Sequence, residues 1–410
     1  MERAETLMRV LGGGSGNVAI SLFDGSRAGP ADAPVTVHVR SEKALAYVAT
    51  AGGDLGLARA YVTGEIDVEG DLYTALKTLS TLDLDLPLRE RLQVMRELGG
   101  IKLLRRPVVP VQEVRLSGRL HSKTRDQKAI SHHYDVSNKF YEWILGPSMA
   151  YTCAVYPSAT ATLEEAQYEK FDLVARKIGL RPGMRLLDVG CGWGGMVMHA
   201  ARHYGVRALG VTLSRRQAEW GQKAIADAGL SELAEVRHLD YRDVTETNFD
   251  AVSSIGLTEH IGLSQLDSYF TFLVDKLRPG GRLLNHCITL PATTDRVKED
   301  WFIRRYVFPD GELEGVGRIV CAMQDNGLEI RHAEDLREHY ALTTKAWSEN
   351  LDRHWDEAVA EVGIGTARVW KLYLAGVSLG FTQNKVQLHQ VLGVKLHPSG
   401  EADFPLRPDW

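Results

Sequence analysis

Cysteine is scarce in this 410-residue chain, with four residues, Cys153, Cys191, Cys287 and Cys321, and no CxxC pair among them. That scatter argues against a disulfide framework and a structural zinc site, so any part a cysteine plays is individual. Long apolar runs are missing as well: the longest, such as residues 282–290, are too short and too interrupted to cross a bilayer. No transmembrane helix is expected. The opening Met-Glu-Arg-Ala-Glu-Thr has acidic residues and no apolar core behind a basic start, so no secretory signal is read there and a cytoplasmic location is expected. Nor is positive charge in surplus. The 48 Lys and Arg face 53 Asp and Glu, a formal net charge of −5, which argues against nucleic-acid binding. What is present, 44% hydrophobic and 25% charged residues with 39 Gly and 14 Pro, describes a globular chain able to bury a sizeable core in two or three domains.

The charge is unevenly spread. Residues 102–128 hold eight bases (Lys102, Arg105, Arg106, Arg115, Arg119, Lys123, Arg125, Lys128) and two acids (Glu113, Asp126), a formal +6 that leaves −11 for the remainder. Such a stretch could meet an anionic membrane surface or serve as a solvated linker. Before it, residues 34–40 alternate in the strand manner, helical spacing runs from Glu42 to Ala51, and Asp71 is placed to cap a helix through Leu79. Three regions are therefore expected: a small mixed α/β domain over 1–80, a basic connector over 81–130 and a catalytic domain over 131–410. In the last, strands expected at Met184–Val189, Ala208–Leu213, Ala234–Leu239, Ala251–Ile255 and Arg282–Ile288 alternate with amphipathic helices, the pattern of a doubly wound parallel sheet. Arg278-Pro279-Gly280-Gly281 reads as a turn before the fifth strand, and Trp370–Leu396 as a further helix and closing strand. Trp370, Tyr373, Leu374 and Phe381 there have the near-helical spacing of core residues or of an acyl-pocket wall.

The most informative stretch is Leu186-Leu187-Asp188-Val189-Gly190-Cys191-Gly192-Trp193-Gly194-Gly195, a strand ending in an acid and a glycine run that opens a helix. Glycines at a strand's carboxyl end let the backbone approach a nucleotide-like ligand. The spacing departs from G-x-G-x-x-G, and a carboxylate at Asp188 would repel a pyrophosphate but suits the ammonium of an amino-acid tail. Adenosine joined to such a tail is S-adenosylmethionine, and Asp-Val-Gly-Cys-Gly resembles the first motif of the methyltransferases that use it. The fold this implies is α/β, a Rossmann-like class I methyltransferase sheet with the smaller N-terminal domain beside it. No acid follows the second strand, so Thr212 and Gln217 are expected to hold the ribose by neutral hydrogen bonds. Asp240, Tyr241 and Arg242 are placed to meet the adenine edge and face.

Several chemically versatile residues remain: Tyr151-Thr152-Cys153, Glu259-His260 after strand four, His286 and Ile288 at the end of strand five, and Tyr340. Their spacings match no common zinc pattern, and no metal is expected. Together with His133–Tyr141, Met149–Ala154, Gly210–Ser214 with Gln217, Glu259–Gly262 and Tyr306–Gly311, these motifs resemble the cyclopropane-fatty-acyl-phospholipid synthase family over nearly the whole chain, including the family's small lipid-associated domain at Gly52–Gly56 and Tyr61–Gly64. The resemblance implies methyl transfer to a cis double bond, through a carbocation deprotonated by bound bicarbonate held by Cys153, Glu259, His286, the backbone of Ile288 and Tyr340. It implies that Tyr151 and Thr152 meet the cofactor's amino-acid tail. Aromatic faces at Trp301, Tyr306 and Phe308 could stabilise the cation. It also implies an unsaturated phospholipid substrate reached by peripheral contact with the inner face of the membrane, and a homodimer or larger assembly. The family's usual Met-Phe-Glu-His is Leu257-Thr258-Glu259-His260 here. That departure leaves open a related branch that makes a 10-methylene chain. A small-molecule O- or N-methyltransferase is disfavoured, because it would need neither the extra domain nor the bicarbonate cluster.

Overall fold

The computed structural model describes residues 3–10, 16–51, 53–80, 88–114, 125, 136–293 and 302–410. His133, Tyr134, Asp135, Trp301 and much of the basic connector lie outside them. Two compact units divide the chain. The first comprises Met1–Arg115, Glu299–Pro309 and Trp355–Leu379, the second Leu116–Lys298, Asp310–His354 and Gly380–Trp410, so two late stretches cluster with the N-terminal residues.

The first unit begins α1 (Arg3–Val10), β1 (Val18–Leu22), β2 (Arg27–Ala28), β3 (Val35–Val39), α2 (Glu42–Ala51), α3 (Gly53–Val62), β4 (Ile66–Glu69), α4 (Leu72–Ser80), α5 (Leu88–Leu98). The strands form a sheet of order β2-β1-β3-β4, with β1 parallel to β3 and the other pairs antiparallel. The strand and helix expected over 34–51 are present, and Asp71 caps α4 by accepting from the backbone N–H of Thr74 at 2.9 Å. Gly56 lets α3 lie against α2, because a Cβ there would stand 2.6 Å from the Cα of Val48. After α5, Arg59 grips the buried Glu113 with two 2.8 Å bonds.

The second unit continues with α6 (Asn138–Leu145), α7 (Leu163–Lys177), β5 (Arg185–Val189), α8 (Gly195–Tyr204), β6 (Arg207–Thr212), α9 (Arg215–Asp227), β7 (Ala234–His238), β8 (Phe249–Ile255), α10 (Leu266–Lys276), β9 (Leu277–Leu290), β10 (Glu314–Gly315), α11 (Val316–Asp325), β11 (Leu328–Asp335) and α12 (Arg337–Arg353). Next come α13 (Trp355–Val362) and most of α14 (Ile364–Thr382), which cluster with the first unit, and then β12 (Gln387–Lys395) of the second. The main sheet has the order β11-β12-β9-β8-β5-β6-β7, with β10 beside β9. Strands β5 to β9 are parallel, while β12 runs antiparallel to both β9 and β11. Leu186 and Leu187 are consecutive on β5 and enter different apolar clusters, as a strand covered on both faces requires.

All five expected strands are found within a few residues of their expected ends. One local reading needs correction. Arg278-Pro279-Gly280-Gly281 is not a turn before a strand but part of β9, which begins at Leu277. Leu277 pairs with Phe249, Arg278 donates to Asp250 at 2.6 Å, and the irregularity is absorbed by Gly280 at φ 74° with a register shift against β8. Among the described residues, no helix is long and apolar enough to cross a membrane.

Candidate active site

A cavity lies at the carboxyl ends of β5, β6 and β8, where the strand order reverses. Gly190 and Gly192 in its wall have φ of 74° and 55°, and a Cβ on Gly190 would press against Leu257 at 3.1 Å. Only glycine keeps that wall open. The loop is braced by Trp193, whose indole donates to Asn138 at 2.9 Å and packs 4.8 Å from Tyr141. The expected tail segment is fixed as well. Gln167 donates to the carbonyls of Ala150 and Thr152, and Thr343 accepts from the backbone N–H of Ala154.

Three polar arrangements line or support the cavity. Buried Asp188 accepts from Ser253 on β8 at 2.6 Å. Burial pushes its carboxyl up to about 7, against the pull of the Ser253 hydroxyl and the Lys170 ammonium. Thr212 donates to the carbonyl oxygen of Gln217 at 2.7 Å, leaving the NH2 of that amide as its donor, and Ser214 caps α9 so that Gln217 faces inward. Arg242 is clamped onto Asp240 by its backbone and guanidinium at 2.6–2.9 Å, with Tyr241 set edge-on against Tyr269 and Phe272. Tyr151, Thr152, Asp188, Gly190, Gly192, Thr212, Gln217, Tyr241 and Arg242 all line the cavity, whereas Asp240 stands behind Arg242.

Four further buried side chains, Glu259, His286, Cys153 and Tyr340, do not line this cavity. Glu259, in the turn Thr258–His260, is buried; its Oε1 accepts from the N–H of Ile288 at 2.7 Å, while Oε2 has no partner. Burial pushes the Glu259 carboxyl up to about 7, opposed by the Ile288 N–H. His286 is fully buried, and burial holds its imidazole neutral by lowering it well below the ordinary value. Its tautomer follows from its neighbours. Lys177 can only donate, and it meets Gln390 Oε1 at 2.7 Å, so the Gln390 NH2 faces His286 Nδ1 at 3.2 Å. Nδ1 therefore accepts, and the proton sits on Nε2, a buried donor without a partner. The Cys153 thiol has the carbonyls of Ala154 at 3.1 Å and Leu336 at 3.7 Å as acceptors, and Leu336, four residues before Tyr340, also accepts the Tyr340 backbone N–H at 3.1 Å. Burial raises that thiol well above its ordinary value, so it stays protonated.

These groups adjoin the cavity through shared neighbours. The N–H of Gly256 bonds the carbonyl of His286, and a Cβ on Gly256 would stand 2.8 Å from Thr152. Tyr151 and Tyr340 both pack on Trp347. Tyr306 and Phe308 belong to the first unit. The sequence reading missed Lys170, a cavity-lining and nearly inaccessible ammonium that donates to Thr152 at 2.9 Å and sits 3.6 Å over Phe171. Burial lowers it to about 7, opposed by Cys153 and Asp188. Ser253, Gln390 and Lys177 were missed too, and the acid-containing pattern around Lys170 resembles a solvated helix face.

A cavity with a glycine wall, a buried carboxylate and hydroxyl, amide and guanidinium groups fits a zwitterionic nucleoside such as S-adenosylmethionine. Comparison with known proteins agrees. The profile of the family described as mycolic acid cyclopropane synthetase matches residues 121–391. A "Probable fatty acid methyltransferase" of Mycobacterium tuberculosis is 53% identical, covering 100% of this chain and 98% of its own. The cyclopropane-fatty-acyl-phospholipid synthase of Escherichia coli is 30% identical over 90% of each chain. The crystal structure of the mycolic acid cyclopropane synthase CmaA1 complexed with SAH and CTAB superposes with a TM-score of 0.62 at 31% identity, covering 65% of this chain and 97% of its own. The sheet is thus the class I methyltransferase sheet, and the chain belongs to the cyclopropane and mycolic acid synthase family of S-adenosylmethionine-dependent methyltransferases.

Proposed function

We propose that the protein methylates the cis double bond of an unsaturated acyl chain in a phospholipid and closes the product to a cyclopropane ring. The observation that carries this reading is the pair of buried, unpartnered atoms, Glu259 Oε2 and His286 Nε2, outside the lining of a cofactor cavity whose own polar groups are paired. S-adenosylmethionine, when bound, supplies an electrophilic methyl group. Asp188 neutralises the ammonium of its tail, and the glycine wall lets the adenosine approach β5. The π electrons of the chain form a bond to the methyl carbon as its C–S bond breaks. The carbocation left on the chain then loses a proton from the added carbon, and the electron pair released closes the ring.

A hydrocarbon cation needs a base that can sit beside it without being methylated. Bicarbonate fits the donor set of this site. His286 Nε2 donates, and a carboxyl raised to about 7 is protonated in part of the molecules at neutral pH, so Glu259 Oε2 can donate as well. The Ile288 N–H orients Glu259, and Cys153 and Tyr340 complete the wall. The bound base takes the proton that the chain loses.

A second reading keeps the same transfer, but a hydride first moves from the methylated chain carbon to the cationic one, and the proton is then lost from the added methyl carbon to give an exocyclic 10-methylene group. Two observations favour it: Thr258 stands where the family usually has an aromatic, with its hydroxyl tied to Asn285 at 2.6 Å, and the 53%-identical relative is named a fatty acid methyltransferase. Incubation with methyl-labelled S-adenosylmethionine and vesicles of dioleoyl phospholipid, followed by mass spectrometry of the chains, tests both. An unlabelled acyl fraction overturns the proposal. A labelled chain that takes up hydrogen under mild reduction supports the methylene product, and one that resists supports the ring.

A further inference from the structure

The first unit shows solvent four large aliphatic side chains within one short segment. Ile101, Leu104, Val108 and Val111 are 84, 53, 82 and 93% exposed. Folding normally hides such groups, and a cluster of them marks a surface that meets something apolar. The same segment holds three exposed cations, Lys102, Arg105 and Arg106, and residues 100–112 contain no acid.

This segment is firmly anchored. In the 3-10 turn Gly100–Leu104, side chains three apart share a face, so Ile101 and Leu104 point together while Leu103 is buried among the core residues of the unit. The Tyr47 hydroxyl donates to the carbonyl of Val108 at 2.6 Å, and Arg59 holds Glu113 just beyond. Pro107 and Pro110 stiffen the chain between them. The backbone that carries the exposed aliphatic groups is thus held in place before docking, which lowers the entropy cost of docking. Farther along the basic stretch, by contrast, Arg125 is committed to a two-pronged pair with Asp310 at 2.7 Å.

We propose that residues 101–111 are a membrane-docking element: Ile101, Leu104, Val108 and Val111 enter the apolar edge of an anionic phospholipid leaflet, and Lys102, Arg105 and Arg106 meet its phosphates. The proposal rests on the reading of a phospholipid substrate given above. The interleaving of cations with aliphatic groups selects this occupant, because a second copy of an acidic protein offers no matching apolar leaflet behind an anionic layer.

The test is flotation of the full chain with vesicles of dioleoylphosphatidylcholine, with and without dioleoylphosphatidylglycerol. Binding should favour the anionic vesicles and weaken with salt. The Lys102→Gln, Arg105→Gln, Arg106→Gln triple variant should lose about a hundredfold in partitioning to anionic vesicles, and with it the salt dependence. The Ile101→Ser, Val108→Ser, Val111→Ser variant should lose at least about tenfold on the same vesicles. Cofactor affinity measured by calorimetry without lipid should match the unaltered protein in both, which establishes folding. Unchanged partitioning in these folded variants overturns the proposal. So does a dimer that the aliphatic variant splits into monomers without loss of vesicle binding, since the patch would then join two copies. A protein that docks as expected yet labels no acyl chain leaves the docking element standing and removes the methyl-transfer reading instead.

Discussion

Along the cavity Asp188 is held by Ser253, Thr212 by Gln217 and Asp240 by Arg242, at distances of 2.6–2.8 Å. In the turn after β8 and on β9, Glu259 Oε2 and His286 Nε2 are buried with no partner. A buried polar atom left unpaired costs about 1–3 kcal/mol. Under the proposed function the first region binds the cofactor, and its groups are oriented beforehand by neighbours. In the second, the fold tolerates that cost, which under the proposed function leaves one hydrogen-bonding atom on each of two residues available for a reacting species.

The sharpest way to break this contrast is to remove a group from the second region and look for an effect on the first. Glu259→Ala should lower kcat by about 10²–10³, the scale of losing one preorganised electrostatic contact in a dry site, while calorimetry finds the S-adenosylmethionine Kd within about twofold. Glu259→Gln, which keeps an oxygen for the Ile288 N–H and offers an NH2 in place of Oε2, should fall between the two. A matching loss of cofactor affinity would merge the two regions into one.

The converse substitution acts on the first region. Asp188→Asn should weaken cofactor binding by about 10–100-fold, the usual range for a charged partner lost from a buried ligand contact. It should also stabilise the ligand-free protein. The folded-state Asp188 carboxyl is raised to about 7, so between about pH 4 and 7 the unfolded chain has released a proton that the folded chain retains. Stability of the ligand-free protein contributed by this group therefore falls as pH rises through that window. The Tm advantage of Asp188→Asn should grow from pH 4 to 7 and level off above. A constant advantage across that range would show that Asp188 is ionised throughout.

A third test concerns the tautomer that makes His286 a donor. Gln390→Glu replaces the NH2 facing Nδ1 with a carboxylate that accepts, which draws the imidazole proton to Nδ1 and removes it from Nε2. Turnover should fall by about tenfold or more with the cofactor Kd unchanged. The ¹⁵N chemical shifts of the His286 ring should exchange their protonated and unprotonated positions. A rate loss without that exchange would mean that Gln390 acts only through packing.

These residues also show where reading the chain alone stops. The parallel strands and their ends were legible because a strand buried on both faces is a short apolar run, and the acid and glycines after β5 break that run at the point where a ligand binds. Cys153 and Tyr340 entered through family resemblance. Lys170 and Gln390 were not legible. Lys170 follows Tyr168-Glu169 on an amphipathic helix and looks solvated in sequence, and Gln390 acquires its meaning from a bond to a histidine 104 positions away. Such roles are created by tertiary contact, and no local pattern encodes them. The same limit explains β9, where pairing with β8 overrode the turn signal of Pro-Gly-Gly.

The smallest effect expected lies at the adenine end of the cavity, where the guanidinium of Arg242 is held in place by Asp240 rather than by the ligand. Arg242→Lys keeps the charge and the stem but loses the planar fork that engages both carboxylate oxygens. The freed side chain then has to be ordered when the cofactor binds. Because side-chain ordering costs about 0.5–1.5 kcal/mol, the cofactor Kd should rise only about 2–10-fold. The saturated kcat should stay unchanged, because the reacting groups do not depend on this pair. Measuring both constants on the same preparation decides the matter: a fall in saturated kcat would mean that adenine-end order is transmitted to Glu259 and His286, and the division between a binding region and a reacting one would have to be redrawn.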